Sequence, residues 1–213
     1  MKDPGGRVSR LRAFFSPGRP ITRYLPGGIA GLWLLWTMAS GAAESWSLES
    51  LTQMLSASPA PPRQYTETRE SAFLQVPLIS RGTIKLLPDG TLVKEKDTPY
   101  FERFSVDRTT ITVEGDGFNR RSFPLTDLPA IYSFTEGLRA LLNGDLGTLD
   151  ALFVSEMTGN RQNWRLALEP REPKANQAID RILVTGGVAT ITQIHIWETD
   201  GDSTLLELAP VSP

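Results

Sequence analysis

His195 is the chain's one histidine, and it sits in the run Ile194-His-Ile-Trp197. Alternate side chains of an extended strand share a face, so His195 joins Gln193 and Trp197, opposite Ile194 and Ile196. General-base work would need a nucleophile beside it, and no serine stands in a nucleophile-elbow pattern. Metal binding would need partner histidines or cysteines, and the chain has neither. A packed or surface histidine is the plainer reading. The carboxylates Glu67, Glu70, Glu95 and Glu102 lie in β-prone segments without a pairing pattern and read as solvated strand-face charges. Asp200-Gly-Asp202 supplies two ligands of a calcium loop but lacks the rest, so it reads as a hairpin turn. Gly186-Gly187 follows a strand, yet a phosphate-binding loop needs a helix after it, and Val188 to Ile196 is strand-like. That pair reads as turn chemistry too. The expectation is a protein without a catalytic site, a metal or a cofactor.

The elements that would hold such residues are mostly short strands. Leu48, Leu51 and Leu55, with Met54 beside them, give a short amphipathic helix, stopped by Pro59, Pro61 and Pro62. Strands follow over Gln64–Glu70, Pro77–Leu87, Thr91–Glu95, Tyr100–Val106, Thr109–Glu114 and Phe118–Phe123. Pro88-Asp-Gly90 and Gly115-Asp-Gly117 turn the chain between them. Leu128, Ile131, Tyr132, Leu138, Leu141 and Leu142 form a helical stripe over about Pro129–Leu142, closed by Asn143-Gly144. A shorter helix covers Thr148–Phe153. Strands resume at Asn163–Leu168, Ala178–Thr185, Ala189–Glu198 and Ser203–Leu208. This pattern predicts an α+β, mainly β domain, a helix-covered antiparallel sheet. Its inward apolar side chains suit either a dry core or a ligand cavity, and composition does not separate the two.

The first 43 residues differ from the rest. Lys2, Arg7, Arg10, Arg12, Arg19 and Arg23 stand against Asp3, and the uncharged run Ile29–Ala39 leads to Ser40-Gly-Ala-Ala43. A basic region, a short apolar core and small residues make a secretory signal, with cleavage expected after Ala43 or Ala42. A run of about 11 residues is short of the roughly 20 that span a bilayer. The expected division is a signal peptide, 1–43, and one exported domain, 44–213, in a periplasm. The chain holds 22 basic and 24 acidic residues. Residues 44–213 keep 16 bases against 23 acids, a net charge near −7. That balance argues against nucleic acid as a partner. The absence of cysteine excludes a thiol nucleophile and a bacterial lipoprotein-type anchor, so a soluble domain is expected, and as a monomer.

The succession of segments resembles a known family. A Trp46-x-Leu-x-x-Leu51 helix leads to Tyr65-Thr-Glu-Thr-Arg69, then Pro77-Leu-Ile-Ser-Arg-Gly-Thr-Ile-Lys-Leu-Leu-Pro88 and Tyr100-Phe-Glu-Arg-Phe104. Leu141-Leu-Asn-Gly-Asp145, Trp164-Arg-Leu-Ala-Leu-Glu-Pro170 and Glu198-Thr-Asp-Gly-Asp202 follow. Over nearly all of 44–213 this resembles the outer-membrane lipoprotein carrier (LolA-like) family. The resemblance implies an incomplete, strongly curved antiparallel β-barrel with helices as a lid over an acyl-chain cavity. It implies a soluble periplasmic carrier that shields the acyl chains of a lipoprotein or other lipid. Such a carrier moves its cargo from an inner-membrane donor towards an outer-membrane acceptor. The family's Lys-Arg-Pro strand end, whose arginine helps hold the lid closed, is Leu86-Leu87-Pro88 here. Arg81 and Arg69 are the candidates to replace it.

On this reading the helices around Pro129–Phe153 are the lid, with the N-terminal helix as a second candidate. Phe101, Phe104, Phe134 and Trp164 are the aromatics expected to face the cavity. Leu86, Val93, Ile111, Leu166, Ile182 and Ile194 are the aliphatics expected beside them. The alternative function is a periplasmic lipid- or lipoprotein-sensing regulator of the same fold. An enzyme of lipid metabolism is a third class, for which the sequence offers no catalytic constellation.

Overall fold

Helix α1, Leu48–Ser56, begins where Ser47 Oγ accepts the Ser50 N–H at 3.2 Å, satisfying one of the free amides of a helix start. It buries Leu51 and Leu55 on one side. The computed structural model describes residues 46–58 and 60–211, which belong to one compact unit. The expected leader and its cleavage positions lie outside the described residues.

Six strands then run as a meander: β1 Arg63–Glu70, β2 Leu78–Leu86, β3 Leu92–Thr98, β4 Glu102–Val106, β5 Thr110–Gly115 and β6 Phe118–Pro124. Helix α2, Pro129–Asn143, starts on a proline that needs no amide partner and stops at Gly144, whose φ of 76° suits glycine. Helix α3, Leu146–Leu152, is capped by Asp145. A second meander follows: β7 Phe153–Asn160, β8 Asn163–Pro170, the single turn α4 Pro173–Asn176, β9 Ile179–Gly187, β10 Thr190–Glu198 and β11 Ser203–Pro210.

All eleven strands form one antiparallel sheet in the order β6-β5-β4-β3-β2-β1-β11-β10-β9-β8-β7. The two meanders meet at β1 and β11, where Tyr65 registers with Leu208 and Glu67 with Leu206. Helices α2 and α3 carry the chain from one sheet edge, β6, to the other, β7. They pack Ala140, Leu141 and Leu149 onto Trp164, Leu166, Ile182 and Ile194 of the second meander.

Three expectations need correction. The sheet is open at β6 and β7, as expected of an incomplete barrel, but it is not strongly curled. Along β6 only Phe118 is half-buried and the other residues are exposed. Second, β7 was not expected; its Val-Ser-Glu-Met-Thr-Gly-Asn sequence buries little beyond Phe153. Third, Gly186 and Gly187 belong to β9, and the turn is made at Val188. A Cβ on Gly186 would lie 2.3 Å from the Trp164 ring, and one on Gly187 2.4 Å from the Gln162 carbonyl oxygen. These glycines serve close approach, not turning.

Candidate functional site

Register fixes which side chains share the helix-covered face. Leu86 pairs with Leu92, Leu92 with Val106, and Val106 with Ile111. Across the seam, Leu206 pairs with Ile194, Ile194 with Val184, and Val184 with Leu166. An apolar face thus runs through both meanders, and α1 and α2 lie over it.

Between those helices and the sheet is an apolar cavity of about 80 Å³. Its walls are Leu55 of α1, Leu138 and Leu142 of α2, and Ile84, Leu86, Leu92, Ile194 and Leu208 of the sheet. Ser58, Ala60, Pro61, Arg63, Lys85 and Ile191, together with the hairpin residues Ala189 and Thr190, complete the lining. Pockets that enclose drug-sized ligands run to roughly 300–1,000 Å³. The cavity is therefore too small for a long acyl chain while the helices sit as they do.

A buried arginine holds α2 in place. Arg139 Nε donates to the Gly90 carbonyl at 2.6 Å, and its Nη2 to the carbonyls of Val106 at 2.6 Å and Asp107 at 3.1 Å. Nη1 pairs with Glu136 one turn earlier. The helix is thereby tied to the β2–β3 and β4–β5 turns. The two candidates named from the sequence do other things. Arg69 bridges Asp202 and Glu198, and Arg81 is exposed. Sequence reasoning missed Arg139, although its setting was a signal: a charged residue between Leu138 and Ala140-Leu141 within an apolar helix.

Farther along the same face the character changes. Lys94 pairs with Glu67 and Lys96 with Glu102, and the Lys94 ammonium stands 5.0 Å from the centre of the Tyr65 ring. The hydroxyls of Tyr65 and Ser80 are buried without a hydrogen-bond partner. Burial, and then the nearby Glu67 charge, push the Tyr65 phenol well above its ordinary range. The face is apolar under α2 and ionic beyond it.

The ten residues expected in a cavity divide accordingly. Leu86 and Ile194 line it. Phe134 packs against the clusters on both sides of the seam. Phe104 and Ile111 join Val106 and Leu125 in a separate cluster under the start of α2. Trp164, Leu166 and Ile182 are solid core, each at most 1% exposed. Phe101 is 40% exposed and lies ahead of β4. Val93 is buried but registers with Lys85 and Ser105, on the opposite face from Leu86. The sequence did not single out Leu55, Leu138, Leu142 and Leu208 as cavity walls, although three of them were legible as helical stripes.

His195 stacks on Trp197 with ring centres 3.7 Å apart, on the face away from the helices. Among the described residues no group of three or more acidic or histidine side chains is placed to hold a metal ion. None of their helices is long and apolar enough to cross a membrane.

Comparison with known proteins adds one direct match. The model of the family described as outer membrane lipoprotein carrier protein LolA-like matches residues 40–211. No curated protein matches the chain. Among solved structures, it is similar to a LolA superfamily protein from Nitrosomonas europaea, at 8% identity and a TM-score of 0.42. That alignment covers 76% of this chain and 91% of the other. It is similar to LprF from Mycobacterium bovis at 14% identity, covering 78% and 94%, with a TM-score of 0.35. The Pseudomonas aeruginosa MucA/MucB complex aligns at 14% identity over 78% of this chain and 58% of that one, with a TM-score of 0.33.

Proposed function

Since the chain belongs to the outer membrane lipoprotein carrier LolA-like family, we propose that it is a periplasmic carrier for a molecule with an acyl chain. It takes the chain up between α1, α2 and the sheet, and passes it from an inner-membrane donor to an outer-membrane acceptor without chemical turnover. The observation that supports this reading is the apolar cavity walled by Leu55, Leu138, Leu142, Ile84, Leu92, Ile194 and Leu208. Burying an acyl chain gains roughly 0.8 kcal/mol per methylene, so even partial shielding gives useful affinity. At 80 Å³ the cavity must widen to accept the chain. Helix α2 is the element to move, because Arg139 ties it to turns of the sheet by hydrogen bonds that can be broken and remade.

Native mass spectrometry of the protein recovered from periplasm without detergent tests the proposal. A retained acylated mass supports it and identifies the cargo class. A clean apo mass, together with no uptake of a fluorescent fatty acid, would end it and favour a regulator that binds protein instead.

A further inference from the structure

The rim of the apolar cavity carries one charged side chain on the helix-covered face. Of the residues lining it, Arg63 and Lys85 are the charged ones, but Lys85 registers with Val93 and turns its side chain to the opposite face of the sheet. There Lys85 is paired with Glu95 at 3.4 Å. Arg63 is not: among the described residues it makes no ion pair, and its side chain donates only one long hydrogen bond, 3.4 Å to Thr190 Oγ1. Its position is defined, since it opens β1 opposite Ile84. A half-buried cation beside apolar walls, in a domain of net negative charge, is costly unless something anionic meets it.

Resting on the carrier reading above, we propose that Arg63 seats the anionic head, a carboxylate or a phosphate, of the amphiphile whose chain enters this cavity. A guanidinium offers several planar donors and suits both oxyanions with paired hydrogen bonds. Thr190 holds the side chain at the mouth and adds a hydroxyl donor for the head. The chain then runs inward past Leu208, Ile84 and Leu138. The preferred cargo is thus an acidic lipid, in contrast to an acyl chain whose head is neutral.

The test compares three probes of equal chain length: palmitate, palmitoyl lysophosphatidic acid and neutral palmitoyl glycerol. Binding to the secreted protein and to Arg63→Gln is read by tryptophan fluorescence and native mass spectrometry at low and high salt. The wild type should bind an anionic probe about tenfold more tightly than the neutral one at low salt, the size of one charge-assisted hydrogen bond. Added salt should shrink that preference. Arg63→Gln should lose the preference and keep its affinity for palmitoyl glycerol. Whichever anionic probe binds more tightly names the source, fatty acid or phospholipid. Equal binding of all three by the wild type, or a preference that survives in Arg63→Gln, overturns the head-group seat but leaves the carrier reading standing. Failure of all three to bind rejects both. If Arg63→Gln does not fold, Arg63→Lys should retain part of the preference, and an unchanged preference in a folded Arg63→Ala would again overturn the seat.

Discussion

Arg139 of α2 donates to the carbonyl oxygen of Val106 at 2.6 Å, joining a helix to the end of a strand 33 residues earlier. Two further carbonyls, of Gly90 and Asp107, share the same guanidinium. Arg139→Met would leave all three acceptors short of a donor in a largely buried place. Roughly 2–4 kcal/mol of stability should be lost, and Arg139→Lys should recover less than half because an ammonium cannot fork to separated carbonyls. Urea unfolding checks this, and a loss below about 0.5 kcal/mol would mean the clamp contributes nothing. On the carrier proposal the Met variant should also take up an acyl probe faster. Unchanged uptake beside lost stability would assign Arg139 to folding alone.

Gly137 lets α2 approach Phe153 closely. A Cβ at this position would stand 2.5 Å from Phe153 Cε2, and Phe153 is fully buried. Helix propensity alone favours Gly137→Ala by up to about 1 kcal/mol. Overpacking of a rigid core costs about 1–3 kcal/mol and should win. The variant is expected to be less stable, and Phe153→Leu should relieve part of the cost, with a coupling of about 1 kcal/mol in a double-mutant cycle. A Gly137→Ala protein more stable than wild type would refute the close contact.

These two contacts show what the sequence could carry and what it could not. Strand and helix identities were legible because periodicity and turn residues act locally: Pro88-Asp-Gly90 turns as expected, with Gly90 at a φ of 85°. Strand β7 was not legible, because an edge strand needs little apolar alternation. Sidedness failed at Val93, since a burial preference does not reveal which face a strand presents. The cavity was hidden for a related reason. Leu166 in the dry core and Ile194 at the cavity wall are the same kind of residue, and only the placement of α1 and α2 separates them. The arginine that ties α2 to the sheet came from another element than the strand end where the family resemblance directed attention.

That separation between core and cavity can be tested by paired substitutions. Leu138→Trp adds bulk to the cavity wall and should lower acyl-probe affinity about tenfold or more while the fold persists. Trp164→Phe removes the indole hydrogen bond to the Val188 carbonyl, 3.1 Å long. It should cost about 1–2 kcal/mol of stability and leave probe affinity unchanged. Fluorescence titration with a fluorescent fatty acid reads both, and the opposite pattern would place the ligand in the second meander, against Trp164.

His195 gives a pH dependence that can be read cleanly, because it is the one histidine. Burial lowers its pKa from the ordinary 6.5; the Glu70 carboxylate opposes this shift and the Arg181 guanidinium, which also lies over the Trp197 ring, adds to it. The folded protein therefore takes up this proton less readily than the unfolded chain does. Its stabilising contribution is complete above the unfolded value and declines as pH falls through 6.5 towards the folded pKa. Unfolding measured at steps from pH 7.5 to 5 should show wild type losing stability relative to His195→Gln. Taking the difference between the two proteins cancels the carboxylates, including Glu198, whose pKa burial raises. An imidazole resonance titrating above 6.5, or a wild type that gains on His195→Gln as the pH drops, would show that Glu70 outweighs burial at this site.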